Sequence, residues 1–179
     1  LIHASCGNAM DPAAYGVDGC WWGLRLKPEA YNRSVGDPRA TYFYDDTTTQ
    51  SIAIASLTNF ANGIPAPKFT NIKSTGGQGS DAAFPDTDFP MFRLGDAYLM
   101  YAEAVLRGGG GNTGTALGYV NALRQRAYGD NSGDITLGQM DLQFILDERG
   151  RELLWEGHRR TDLVRYGQFT GGSYIWSWK

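Results

Sequence analysis

The chain has 179 residues, a length that suits one domain or a little more, and 16 lysines and arginines stand against 19 acids for a formal net charge of −3. That balance leaves no basic excess to neutralise phosphates and no polybasic patch for an anionic lipid surface, so nucleic acid and a bare membrane surface are not expected partners. With 42% apolar and 20% charged residues the chain is not disordered, and its longest apolar stretch, Tyr98–Leu106, carries Glu103 and falls well short of the ~20 residues that span a bilayer.

Residues 1–88 read as irregular. Pro12, Gly23, Pro28, Pro38, Gly63, Pro65, Pro67, Gly76, Gly77 and Pro85 interrupt almost every stretch. Cys6 and Cys20 bracket a glycine-rich loop that a disulfide would stiffen, and two reduced thiols are the alternative. Lys27-Pro28-Glu29 reads as the opening of a short helix. Arg39–Tyr44 and Ser51–Leu57 are strand-prone, and Lys73–Asp81 is a polar loop. This half is expected to hold a few short strands among loops.

Residues 90–167 read as helical. A first helix from Pro90 carries Leu94, Ala97, Tyr98, Tyr101, Ala104 and Val105 at helical spacing, with Arg93–Asp96 and Glu103–Arg107 as ion pairs. Gly108–Gly111 stop it. A second helix covers Thr113 to Tyr128, with Ala116, Leu117, Val120, Leu123 and Ala127 on one face. Thr136 and Gln139 form a capping box that opens a third helix, ended by Gly157. A short fourth helix runs from Arg159 to Tyr166, ahead of an aromatic tail, Tyr174–Trp178. Leu94-Gly95-x-x-Tyr98 and Ala116-x-x-x-Val120 match the paired helices of a tetratricopeptide repeat, with Gly95, Ala102 and Ala116 letting two backbones approach. The expected fold is mainly α, built of tetratricopeptide-like helix pairs beside a loop-rich region.

The densest charged constellation lies in residues 147–165. Glu152 and Glu156, one helical turn apart, could act as an acid–base pair of a glycosidase. The competing reading is a structural network in which Arg149, Arg159 and Arg165 neutralise Glu148, Glu152, Glu156 and Asp162. Five arginines are within reach of five acids there (Asp147 included), so pairing explains the acids better. His3 and His158 lie far apart, and no metal-binding spacing occurs. Asp86 and Asp88 lack the companions of a calcium loop. Gly108–Gly111 follow a helix and no Gly-Lys-Ser/Thr comes after them, so they do not form a phosphate loop. No catalytic motif, cofactor or metal site is expected. The rings remain: Trp21 and Trp22 in a glycine-flanked turn, and Tyr42, Phe43 and Tyr44 just before Asp45 and Asp46. Aromatic faces stack on the C–H groups of a pyranose while carboxylates and amides hold its hydroxyls. Trp21, Trp22, Tyr42 and Tyr44 are therefore the candidate ligand contacts, with core packing as the competing use of each ring.

The segments Phe92–Ala104, Asn121–Ala127, Leu146–Gly157 and Arg159-x-x-Asp162-Leu-Val-Arg165-Tyr-Gly167, with Asp37-Pro38-Arg39 upstream, resemble the C-terminal part of SusD/RagB proteins of Bacteroidetes. Asp96 stands where that family more often has glutamate. The resemblance implies a non-catalytic lipoprotein on the outward face of the outer membrane, binding glycans or other nutrients beside a SusC-like TonB-dependent transporter. It implies that residues 1–88 are the loop-rich, ligand-facing portion and residues 89–179 the helical scaffold portion of one larger fold, with the lipid anchor outside this fragment. A docking module for the transporter, with the ligand site elsewhere, is the alternative role.

Overall fold

The computed structural model describes residues 1–7, 10–42 and 50–170. They fall into two units, Leu1–Gly36 with Ala40–Phe89, and Asp37–Arg39 with Pro90–Lys179. Among the described residues six α-helices form: α1 (Ile2–Ser5), α2 (Pro28–Ser34), α3 (Leu94–Leu106), α4 (Thr113–Tyr128), α5 (Leu142–Glu152) and α6 (Arg159–Arg165). Among the described residues no strand forms; only the isolated bridges Leu26–Ile64, Ser51–Asn62 and Ile72–Gln78 appear.

In the first unit Ile2, Cys6, Val17, Leu26, Ile64 and Ala66 are buried. A disulfide joins Cys6 to Cys20, with Cα atoms 5.1 Å apart, so the open question of these cysteines resolves to the bonded form. Pro28 occupies the first turn of α2, where its missing N–H costs nothing. Buried Asn71 donates to the carbonyls of Gly16 and Asp81, both at 2.9 Å, and accepts from the Asp86 amide at 3.0 Å, which ties the loop 70–86 together. Gly16 has φ +71°, and a Cβ there would sit 2.7 Å from the Asn71 carbonyl oxygen, so no larger residue fits.

Among the described residues neither expected strand forms, for local reasons. Residues Pro38–Tyr42 form a 3₁₀ turn instead, because the Asp37 carboxylate accepts the Arg39 amide at 2.9 Å and proline fixes the next φ. Phe43 and Tyr44 lie outside the described residues. In 51–57 the ladder groups are engaged elsewhere: Ser51 Oγ donates to the Ala53 carbonyl, Asn62 Oδ1 takes the Ser56 amide, and Arg25 takes the Leu57 carbonyl.

In the second unit the short connection 107–112 turns the chain back, so α3 and α4 pack as a helical hairpin against which α5 also packs. Leu99, Ala102, Ala116, Val120, Leu123, Ile135, Met140 and Ile145 form the core. Tyr98 stacks on Tyr119 at 4.3 Å and Tyr101 meets the same ring edge-on at 5.3 Å. Helix α4 has the expected bounds because both ends are capped. The Asn112 carboxamide accepts the Thr115 amide, and Gly129 takes φ +79° at the C-terminus.

Four expectations change. The first helix starts at Leu94 rather than Pro90. The Thr136–Gln139 box caps only a 3₁₀ turn, Leu137–Gln139, and α5 begins after Asp141, whose carboxylate accepts the Phe144 amide at 2.7 Å. Helix α5 also ends at Glu152, ahead of Trp155 at φ +61°, rather than at Gly157. Ala102 and Ala116 line the core as expected, but Gly95 does not. A Cβ on Gly95 would lie 3.1 Å from Glu152 Oε1, so its smallness serves the ion network. Among the described residues no helix is long and apolar enough to cross a membrane.

Candidate functional site

The first unit places the two tryptophans on a turn pinned to α1. Beside the Cys6–Cys20 bond, the Trp21 amide donates to the His3 carbonyl at 2.7 Å, the Trp22 amide to that of Cys6 at 3.2 Å, and the Leu24 amide to that of Ala4 at 2.6 Å. Trp22 has φ +58°, a left-handed conformation that costs a bulky residue roughly 1–2 kcal/mol. The two rings therefore diverge onto different supports. The Trp21 indole stacks on the His3 imidazole, with centroids 4.5 Å apart, and remains 65% exposed. His3 is buried and its Nε2 lies 3.0 Å from Asp18 Oδ1. His3, Phe69, Thr87 and Asp88 line a cleft of about 310 Å³ in the same unit.

Trp22 is half-buried and meets Phe60 edge-on at 5.5 Å. The Arg25 guanidinium lies over the same Phe60 ring, 5.3 Å from its centroid, and donates to the carbonyls of Leu57, Asn59 and Asn62 at 2.6–2.8 Å. Buried Gln50 has carbonyls of Phe60, Ala61 and Gly63 at 3.1–3.2 Å, so its amide nitrogen is the atom that faces them. Arg25 and Gln50 thus hold the 57–63 loop under a ring that is 43% exposed. Chemically the arrangement offers apolar ring faces rimmed by amides and a cation, the pattern of a polar-ligand site with specific orientation.

Of the four ligand contacts expected from sequence, Trp21 and Trp22 stand here. Tyr42 ends the 3₁₀ turn, and its side chain, like Tyr44, lies outside the described residues. His3, Arg25 and Phe60 were not among the expected contacts. Arg25 sits in the same segment as Trp22, and Phe60 lies between Asn59 and Ala61-Asn62, a ring set among amides that could have drawn attention.

Most arginines of the second unit are bonded to its acids. Arg39 reaches Asp37, Glu148 and Glu152 at 2.7–3.0 Å. Arg93 donates to both oxygens of Glu156 and to Glu152, and Arg126 also reaches Glu152. Arg93 does not pair with Asp96, as its spacing had suggested; Asp96 takes Arg149 at 2.7 Å. Arg149 and Arg165 converge on Asp162, Arg107 and Arg165 on Glu103, and Arg159 lies 3.9 Å from Asp147. Burial pulls the Glu152 pKa up, yet hydrogen bonds from Arg126 and Arg93 outweigh it and hold the carboxyl down at about 2. Glu103 is likewise opposed by burial but held at about 2 by Arg165 and Arg107. A glutamate ionised that firmly holds no proton to donate near neutral pH, so Glu152 does not suit the acid half of an acid–base pair.

Residues 9–175 match the SusD family. The chain is 37% identical over 155 residues to the starch-binding protein SusD of Bacteroides thetaiotaomicron, covering 86% of this chain and 27% of that protein. It is 41% identical over 81 residues to the SusD-like protein P25 of Formosa agariphila, covering 43% of this chain and 15% of the relative. Among solved structures, a SusD superfamily protein from Bacteroides vulgatus superimposes with a TM-score of 0.60 at 25% identity, covering 90% of this chain and 35% of the other. A laminarin binding SusD-like protein gives 0.59 at 28% identity, covering 86% and 32%. The chain spans about a quarter of the length of its starch-binding relative. On the family match and these relatives, the chain belongs to the SusD family.

Proposed function

We propose that this chain is part of a non-catalytic nutrient-binding protein that captures glycans at the outward face of the outer membrane and works with a SusC-like TonB-dependent transporter. The observation that carries the reading is Trp21, a 65% exposed indole backed by a buried histidine on a disulfide-pinned turn. A large exposed ring with rigid backing keeps an apolar face in water at a fixed angle, as a sugar platform requires. Trp22, held at φ +58° beside Phe60, adds a second ring, and strain of that kind clusters at ligand clamps. The names of the starch-binding and laminarin-binding relatives point to the same ligand class.

Calorimetry against a panel of polysaccharides that includes starch and laminarin tests it. Binding to a panel member, weakened in Trp21→Ala or Trp22→Ala, is expected, with no sugar released; failure of every member to bind overturns the glycan assignment. A second reading, a docking module with the ligand site elsewhere, is favoured by Met91, Phe92 and Leu94, which are 72%, 90% and 62% exposed. Co-purification of a transporter that is lost on changing these three residues, with no glycan bound, supports that reading instead.

A further inference from the structure

We infer that the corner formed by Trp22, Phe60 and Arg25 takes an acidic sugar residue, one bearing a carboxylate or a sulfate ester; this rests on the glycan-binding role proposed above. The Arg25 guanidinium is held by neutral groups. It donates to three backbone carbonyls, which are neutral, and among the described residues no carboxylate lies within ion-pair reach of it. The arginines of the second unit, by contrast, are mostly tied to acids. Neither segment that builds the corner contains an aspartate or glutamate: residues 19–28 carry Arg25 and Lys27, and residues 50–80 carry Lys68 and Lys73.

The amides beside it have the same polarity. Asn59 Oδ1 accepts the Ala61 amide at 3.0 Å, and Asn62 Oδ1 accepts the Ser56 amide at 2.9 Å. Each side-chain oxygen is thereby turned to the backbone with one of its lone pairs used, and both NH₂ groups remain as donors without a partner among the described residues. Three of the five N–H donors of Arg25 are used, so two more are available. A neutral sugar hydroxyl both donates and accepts, and sites for it commonly supply acceptors as well. A rim of donors and one cation instead matches a group that only accepts, as a carboxylate or a sulfate ester does. The Trp22 and Phe60 rings supply the apolar face for the pyranose that carries it.

Two matched pairs of oligosaccharides test this by calorimetry at low salt. One pair is an oligogalacturonate and its carboxyl-reduced form; the other is a sulfated galactan and its desulfated form. In at least one pair the acidic member is expected to bind about tenfold more tightly than its neutral partner. The advantage shrinks as salt is added, and Arg25→Gln abolishes it. Preference in the first pair assigns the carboxylate, and preference in the second the ester. Because Arg25 also holds the 57–63 loop, the salt titration on the unaltered protein stands independently of the variant. Equal affinity within both pairs, or a preference that salt does not change, overturns this inference and leaves the glycan role intact. Failure of every member of both pairs to bind likewise overturns this inference, and only the added failure of the whole polysaccharide panel overturns the role itself.

Discussion

Arg39 donates to Glu148 at 2.8 Å across a separation of 109 residues. The same guanidinium holds Asp37 and Glu152, and all four side chains are buried. Removing one partner of such a group strands charge away from water. Arg39→Met is therefore expected to lower unfolding stability by about 3 kcal/mol, read as a fall in the urea midpoint at unchanged slope. A loss below about 1 kcal/mol contradicts the buried network, because that is the range of exposed pairs.

The same network sets a pH dependence. Glu103 and Glu152 are held at about 2 in the folded chain against an ordinary 4.5, and Asp37 shifts in the same direction. A carboxylate with a depressed folded pKa contributes stability above its unfolded pKa and loses it as pH falls through the folded value. The melting temperature should hold steady down to about pH 5 and fall progressively from there towards pH 2. In Glu103→Gln the acid slope should be shallower, whereas an unchanged slope argues against that assignment.

The Cys6–Cys20 bond closes a loop with a sequence separation of 14, which constrains an unfolded chain by about 3 kcal/mol. Replacing both cysteines by serine should expose the Trp21, Trp22 and Leu24 amides to hydrogen exchange, while α3–α5 keep their protection. Equal loss of protection throughout both units contradicts this local role.

Trp22 separates strain from binding. Glycine accepts φ +58° without the Cβ penalty that alanine bears. Trp22→Gly should therefore be more stable than Trp22→Ala by about 1 kcal/mol, with both variants weakened in glycan binding. If alanine is the more stable of the two, Trp22 does not hold the left-handed conformation in solution.

The helices of the second unit were largely legible in the sequence, and the first unit much less so. Helix α4 could be read to its bounds because Asn112 and Gly129 are local signals next to a periodic apolar face. The end of α5 could not be read, because Trp155 turns left-handed where Gly157 was the visible stop signal. Pairing was legible as charge balance but not as partners: spacing suggested Arg93 for Asp96, and the fold gave Asp96 to Arg149. In the first unit alternation in 51–57 mimics a strand, yet Arg25 and Asn62 take up the groups a ladder would need. Trp21 and Trp22 could be singled out as rings, but their supports, His3 and Phe60, become neighbours only after the chain folds.

The most direct test of the account is the affinity of the unaltered protein and of Trp21→Ala for the tightest-binding member of the polysaccharide panel, measured by calorimetry with the fold checked by circular dichroism. Truncating a central aromatic contact should weaken binding by about tenfold or more while the fold is retained. An affinity that is the same with and without the Trp21 ring contradicts the claim that this turn is the glycan platform.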